Sequence, residues 1–202
     1  MICIVDYGMG NLRSVSKALE KVGGEVTISS RPEELRTAQK IVLPGVGAFG
    51  DASQELQKRS LFEPLCEMIR KKKPFLGICL GMQLLLEESE ESPGVVGLGI
   101  FKGKVRRFQN PNVKIPHIGW NQLKVKKPDF PAFGSLPLES FFYFVHSYYP
   151  APQDPALILG EADYGGETFP AFIGNETIWA AQFHPEKSQD AGLQILRNFV
   201  SR

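Results

Sequence analysis

The sequence predicts a three-layer α/β fold, a mostly parallel sheet flanked by helices, with additional antiparallel strands in the C-terminal half. Three observations predict it. The first half alternates short β-branched runs with segments of helical period. Residues 75–78 are continuously apolar without alternation, which suits a strand covered on both faces. From Ser92 to about Asn175 the composition shifts to proline, glycine and aromatic residues, interrupted by strand-like runs. With 202 residues, 43% of them hydrophobic and 22% charged, the chain reads as one domain spanning 1–202, which excludes disordered, collagen-like and disulfide-scaffold classes.

Each element has a local reason. Residues 2–5 form the first strand, and Asn11 then caps a helix on which Leu12, Val15, Leu19 and Val22 recur at helical spacing. A second strand at 25–29, a short helix after Pro32 and a third strand at 40–43 continue the alternation, with helical stretches at 51–58 and 61–72. The fourth strand, 75–78, leads into a helix predicted over 80–88. Further strand-like runs fall at 113–118, 141–149 and 157–164. Residues 168–173 and 177–183 read as a hairpin joined through Gly174-Asn175, residue types that tolerate positive φ. A final helix closes the chain, capped by Ser188, with Leu193, Leu196 and Val200 on one face.

A formal net charge of +1 leaves no electrostatic footprint for nucleic acid or an anionic membrane. Cys3, Cys66 and Cys79 are an odd number, without a CxxC pair or cysteine–histidine spacing of zinc type, so a reducing, cytoplasmic setting is expected and no metal or cofactor is implied. Asp6 interrupts the N-terminal apolar run before a signal-peptide core could form. Lys71-Lys72-Lys73 precede an apolar stretch at 74–86, but it is internal, broken by glycine and well short of the ~18 residues of a membrane span.

The chemistry concentrates at Gly77-Ile78-Cys79-Leu80-Gly81, a cysteine between two glycines where a buried strand meets a helix. This is a nucleophile-elbow pattern. The sharp turn exposes the side chain, and glycines two residues either side remove Cβ clashes. The following helix N-terminus favours a thiolate and can turn free backbone amides towards a developing oxyanion. The plain reading, a small buried cysteine that packs, would suffice if the motif stood alone. His184-Pro185-Glu186 gives it company. In extended chain residues i and i+2 project to one side, so Glu186 can orient the imidazole while its other nitrogen takes a thiol proton. His117 and His146 lack carboxylates at such spacing.

Pro44-Gly45-Val46-Gly47-Ala48-Phe49-Gly50 contains a GxGxxG match after a strand. A dinucleotide site would place that fingerprint in the first strand–helix turn, whereas this loop follows the third strand. A glycine-rich turn supplying a second oxyanion donor, or a plain tight turn, suits it better.

The elbow with Met82-Gln83, together with His184-Pro185-Glu186 in that chain order, resembles the class I, triad-type glutamine amidotransferases. Five further segments narrow the likeness to the glutaminase subunits of imidazole glycerol phosphate synthases. They are Tyr7-Gly8-Met9-Gly10-Asn11-Leu12, Leu43-Pro44-Gly45-Val46-Gly47, Ile118-Gly119-Trp120-Asn121, Tyr143-Phe144-Val145-His146-Ser147-Tyr148 and Phe183-His184-Pro185-Glu186-Lys187-Ser188, which span almost the whole chain. The resemblance implies a flavodoxin-like amidotransferase fold without cofactor, and hydrolysis of L-glutamine by Cys79, His184 and Glu186. Ammonia would pass to a (β/α)8-barrel synthase subunit, in a heterodimer, for histidine biosynthesis. It further implies oxyanion donors at the Val46 and Leu80 amides, and substrate contacts at Gly47, Gln83, His146, Ser147 and Tyr148. Asn11, Trp120 and Lys187 would face the partner. Residue by residue, plainer uses stay open: helix cap for Asn11, core aromatic for Trp120, solvated charge for Lys187, and core packing for the aromatic strand 141–149. Also open are a glutaminase feeding an anthranilate or aminodeoxychorismate synthase, a non-catalytic binding module of the same fold, and a nicotinamide-dependent oxidoreductase.

Overall fold

The computed structural model describes residues 1–137 and 139–202. Strands β1 (Ile2–Val5), β2 (Val26–Ser29), β3 (Lys40–Gly45) and β4 (Phe75–Cys79) are connected through helices α1 (Leu12–Lys21), α2 (Pro32–Thr37), α3 (Phe49–Lys58) and α4 (Phe62–Arg70). The one-turn helix α5 (Leu80–Gln83) follows β4. Then come β5 (Glu88–Ser89), β6 (Gly103–Arg107), β7 (His117–Gln122), β8 (Lys124–Val125), β9 (Phe141–His146), β10 (Tyr148–Pro152), β11 (Ile158–Tyr164), β12 (Glu167–Gly174), β13 (Ile178–Ala181) and α6 (Gln189–Ser201).

The main sheet runs β2-β1-β3-β4-β13-β12-β11-β8. Its first five strands are parallel, and β12, β11 and β8 extend it antiparallel, as the sequence predicts. Alternate side chains feed cores on its two faces. From β1, Cys3 and Val5 join Leu35, Leu56 and Leu65 of α2, α3 and α4, while Ile2 and Ile4 join Val15 and Leu19 of α1 and Leu196 and Phe199 of α6. Beside the sheet lie a three-stranded unit, β10-β6-β5, and the two-stranded antiparallel ribbon β7–β9. Among the described residues no helix is long and apolar enough to cross a membrane.

Helix ends follow the expected chemistry in part. Asn11 caps α1, its Oδ1 accepting the Ser14 N–H at 3.2 Å. Ala48 cannot cap α3, and the caps come from afar: Phe49 N–H donates to Glu91 Oε2 (2.7 Å) and Gly50 N–H to Ser92 Oγ (3.0 Å). Ser188, expected to cap α6, makes no cap bond, because its hydroxyl donates to the His184 carbonyl and accepts from Tyr143 N–H. The buried face of α6 is Gly192, Ile195, Leu196 and Phe199, with Leu193 and Val200 only partly covered.

The helix predicted over 80–88 stops at Gln83. Carbonyls that would continue it are taken by the later segment 97–100: Leu98 N–H bonds Leu84 O, Ile100 N–H bonds Leu85 O, and Gly97 N–H bonds Glu87 O. Gly97 permits this, since a Cβ on it would lie 2.1 Å from Leu86 O. The strand expected at 113–118 lies instead at His117–Gln122, after Pro116, which has no N–H to offer a ladder. The run 141–149 breaks at Ser147, because β9 pairs with β7 and β10 with β6. The hairpin through Gly174-Asn175 forms as read, with Phe172 opposite Ala181 and Asn175 N–H bonded to Ile178 O.

Candidate active site

Strands β3 and β4 pair in parallel with Gly45 opposite Cys79, so Val46 and Leu80 leave the sheet side by side at neighbouring strand C-termini. Cys79 has φ +54° and ψ −108°, a strained backbone for a residue with a side chain. The flanking glycines make the turn sterically accessible. A Cβ on Gly81 would stand 1.8 Å from Leu43 O, and one on Gly77 would stand 2.7 Å from Gly81 O. The elbow expected from the sequence is therefore present, with a helix of one turn behind it.

His184 and Glu186 are joined by a 2.8 Å bond from Nδ1–H to Oε1, both side chains almost fully buried. Their chain geometry differs from the expected extended one: Pro185–Lys187 is a single 3-10 turn entered from His184, and it is this turn that folds the carboxylate back onto the ring. The histidine backbone is clamped by β9, its N–H bonding Tyr143 O at 2.9 Å while its carbonyl accepts from Ser188. Buried His184 Nε2 meets no hydrogen-bond partner of acceptable geometry among the described residues, although Cys79 lies near enough to influence the ring. Burial works against charge on this imidazole, but the Cys79 sulfur and the Glu186 carboxylate more than offset it, raising the pKa to about 10. The pair therefore favours the protonated imidazole.

Cys79 opens on a pocket of about 400 Å³. Val46 and Gly47 line it from the loop after β3, Leu80 and Gln83 from the elbow, and His146, Ser147 and Tyr148 from the β9–β10 corner. Eight of the residues expected at the site thus meet in one cavity, with His184 and Glu186 behind Cys79. The Gln83 carboxamide donates to Tyr148 O (2.9 Å) and Gln182 Oε1 (3.1 Å), leaving its oxygen for a ligand. His146 is buried and its pKa pushed down to about 3, mainly by burial. The Tyr148 carbonyl can only accept, so neutral His146 donates to it through Nδ1 (2.8 Å), and His146 Nε2 accepts from His117 Nδ1–H (3.0 Å). His117, pushed down to about 4 by burial, can then accept from Asn121 Nδ2–H through Nε2.

The three residues expected at a partner surface all lie outside the core. Asn11 and Lys187 are exposed, and Trp120 is 48% exposed, edge-on to Tyr143. Lys187 also lines the pocket rim, its ammonium 5.8 Å from the Tyr143 ring centroid.

A family model described as glutamine amidotransferase class-I matches residues 3–202. The chain belongs to the class-I glutamine amidotransferase family. It is 52% identical to the imidazole glycerol phosphate synthase subunit HisH of Thermosynechococcus vestitus, over 99% of this chain and 96% of that one. Identity to HisH of Nostoc punctiforme is 50%, covering 100% and 96%. The fold is shared with a crystal structure of a glutamine amidotransferase (TM-score 0.77, 18% identity, 100% of both chains) and with PurLQS from Thermotoga maritima (TM-score 0.78, 21% identity, 99% and 97%).

Two polar residues at this amidotransferase site escaped the sequence reading. Gln182 lies two residues before His184, and its Nε2 approaches Cys79 Sγ at 3.7 Å. The alternation that paired His184 with Glu186 would have found it. Glu91 is the one acidic residue lining the pocket among those described, and nothing local in 87–91 distinguishes it from its acidic neighbours.

Proposed function

We propose that this chain is a glutaminase subunit that hydrolyses L-glutamine to L-glutamate and ammonia. The ammonia feeds a synthase subunit forming imidazole glycerol phosphate and an aminoimidazole carboxamide ribonucleotide in histidine biosynthesis. The observation that carries the reading is Cys79, strained at the elbow and open to the pocket, with the buried His184–Glu186 pair behind it.

The chemistry balances with these residues alone. Cys79 thiolate attacks the substrate carboxamide carbon, and the carbonyl electron pair moves to oxygen, held by the Leu80 and Val46 amides. Protonated His184 gives its proton to the leaving nitrogen, ammonia departs, and a thioester remains. Neutral His184 then takes a proton from water, whose hydroxide attacks the thioester. Glutamate leaves and the thiolate–imidazolium pair returns. Glu186 orients the ring throughout. Glu91 suits the substrate's α-ammonium, and the backbone of Gly47, Ser147 and Tyr148, with Gln83 and His146, holds the rest.

Residues 1–202 act as one domain in a heterodimer with a (β/α)8-barrel synthase, in the cytoplasm. The partner seat is the outer face of the β7–β9 ribbon with Asn11 and Lys187. The test is glutamate release by the purified chain, alone and with a cognate barrel synthase and its nucleotide ligand. Strong stimulation is expected on addition, and Cys79→Ala should abolish glutamine-driven synthesis while leaving synthesis from ammonium salts intact. Glutaminase activity indifferent to the synthase would reassign the partner; no activity from folded protein would leave a binding role.

A further inference from the structure

The loop between β1 and α1 is pressed against the backbone that carries Val46. Tyr7, fully buried, donates its hydroxyl to the Pro44 carbonyl at 3.0 Å. Gly45 is wedged between that phenol and the elbow, since a Cβ on it would lie 2.4 Å from Tyr7 Oη and 2.8 Å from Leu80 Cβ. Two residues further along the same loop, a Cβ on Gly47 would lie 2.8 Å from Met9 Cε. Gly10, at φ +107°, brings its backbone near Pro44 and Gly45, where a Cβ would stand 3.5 and 3.6 Å away. Contacts therefore reach Pro44, Gly45 and Gly47, on either side of Val46. Among the described residues the Val46 and Gly47 N–H groups have no hydrogen-bond acceptor, so that backbone is held from behind rather than by its own donors.

We propose that Tyr7 is a positioning residue for the oxyanion-binding peptide: its hydroxyl holds the Pro44–Gly45 peptide, and with Gly45 paired opposite Cys79 this restrains the next peptide, which carries the Val46 N–H. The inference rests on the reading of Val46 as an oxyanion donor. It touches neither substrate nor sulfur chemistry directly. Burial, with a smaller contribution from the Cys79 sulfur, pushes the phenol pKa well above the ordinary tyrosine value, so the hydroxyl remains a donor throughout the working pH range. A preorganised donor is what an oxyanion site requires, and losing one outright costs about 10²–10³ in rate. Loosening it costs a fraction of that.

Tyr7→Phe removes one oxygen and keeps the ring. In the complex with the synthase we expect kcat for glutamine hydrolysis to fall about tenfold, with KM within twofold and ammonium-driven synthesis unchanged. An aldehyde analogue of glutamine, to whose carbonyl carbon the Cys79 thiolate adds with the oxygen taking the oxyanion position, should bind about tenfold more weakly. Glutamate affinity should stay the same. Met9→Ala, which opens the contact on Gly47, should lower kcat in the same pattern and serves if Tyr7→Phe does not fold. A wild-type kcat and analogue affinity in these variants, with only a lower melting temperature, would make Tyr7 structural and overturn the proposal. So would parallel loss of the ammonium-driven rate. A wild-type complex that does not hydrolyse glutamine would remove the glutaminase reading itself, and this inference with it.

Discussion

At the scale of single residues the site is decided by where a side chain cannot be. Gly81 sits so close to Leu43 O that a methyl group there would overlap a backbone atom of the central sheet, which cannot yield as a flexible side chain would. Gly81→Ala should therefore destabilise the fold by about 3 kcal/mol or more, or prevent soluble expression, and chemical denaturation reads the difference. An unchanged unfolding midpoint would mean the elbow relaxes without cost. Cys79 itself occupies positive φ without being glycine, a strain held by the β3–β4–β13 ladders on either side.

At the scale of elements, the β7–β9 ribbon has two chemically different faces. Phe142, Phe144, His146 and His117 point inward to Phe108, Phe169 and Phe183, in ring contacts such as Phe142–Phe183 at 4.0 Å. The two histidines are neutral there, their pKa values depressed to about 4 and about 3 from 6.5. The unfolded chain protonates both below pH 6.5 while the folded chain does not. Stability present above pH 6.5 is therefore lost as pH falls towards 4, by about 1.4 kcal/mol per pH unit for each histidine. Urea midpoints between pH 7 and 4.5 should show the fall, and NMR should find both rings neutral at pH 5. Imidazolium signals from the folded state at that pH would contradict the buried hydrogen-bond chain. His184 works in the opposite sense: its contribution is complete below pH 6.5 and is lost as pH rises towards about 10.

At the scale of the whole molecule, the outer face of that ribbon is the most conspicuous apolar surface. Ile118 and Trp120 on β7 and Phe141 on β9 are each about half exposed, and the register places Val145, Tyr143 and Gln122 opposite them on the same side. The pocket reaches this surface, since Val145 and Lys187 line its rim. On the proposed partnership, Trp120→Ala should weaken association with the synthase at least tenfold and leave the isolated chain's melting temperature within about 2 °C, because the ring is half exposed and lies outside the core. Titration calorimetry with the synthase checks the first expectation and a thermal melt the second.

What the sequence determined by itself was whatever rests on local chemistry. The β-branched runs, the Asn11 cap, the glycines around Cys79 and the Gly174-Asn175 turn were readable because each depends on residues within a few positions of one another. The gathering of Cys79 with His184 and Glu186 could be expected from motif resemblance, yet spacing alone could not have joined residues more than a hundred positions apart. Tertiary structure decided the rest. It ended the helix after Gln83 by giving the carbonyls of 84–87 to a distant segment, split 141–149 between two sheets, and moved Ser188 from a cap to a clamp on His184. It also brought Glu91, Gln182 and Tyr7 to the site. In each case a polar group had several partners of similar local merit, and burial left room for one of them.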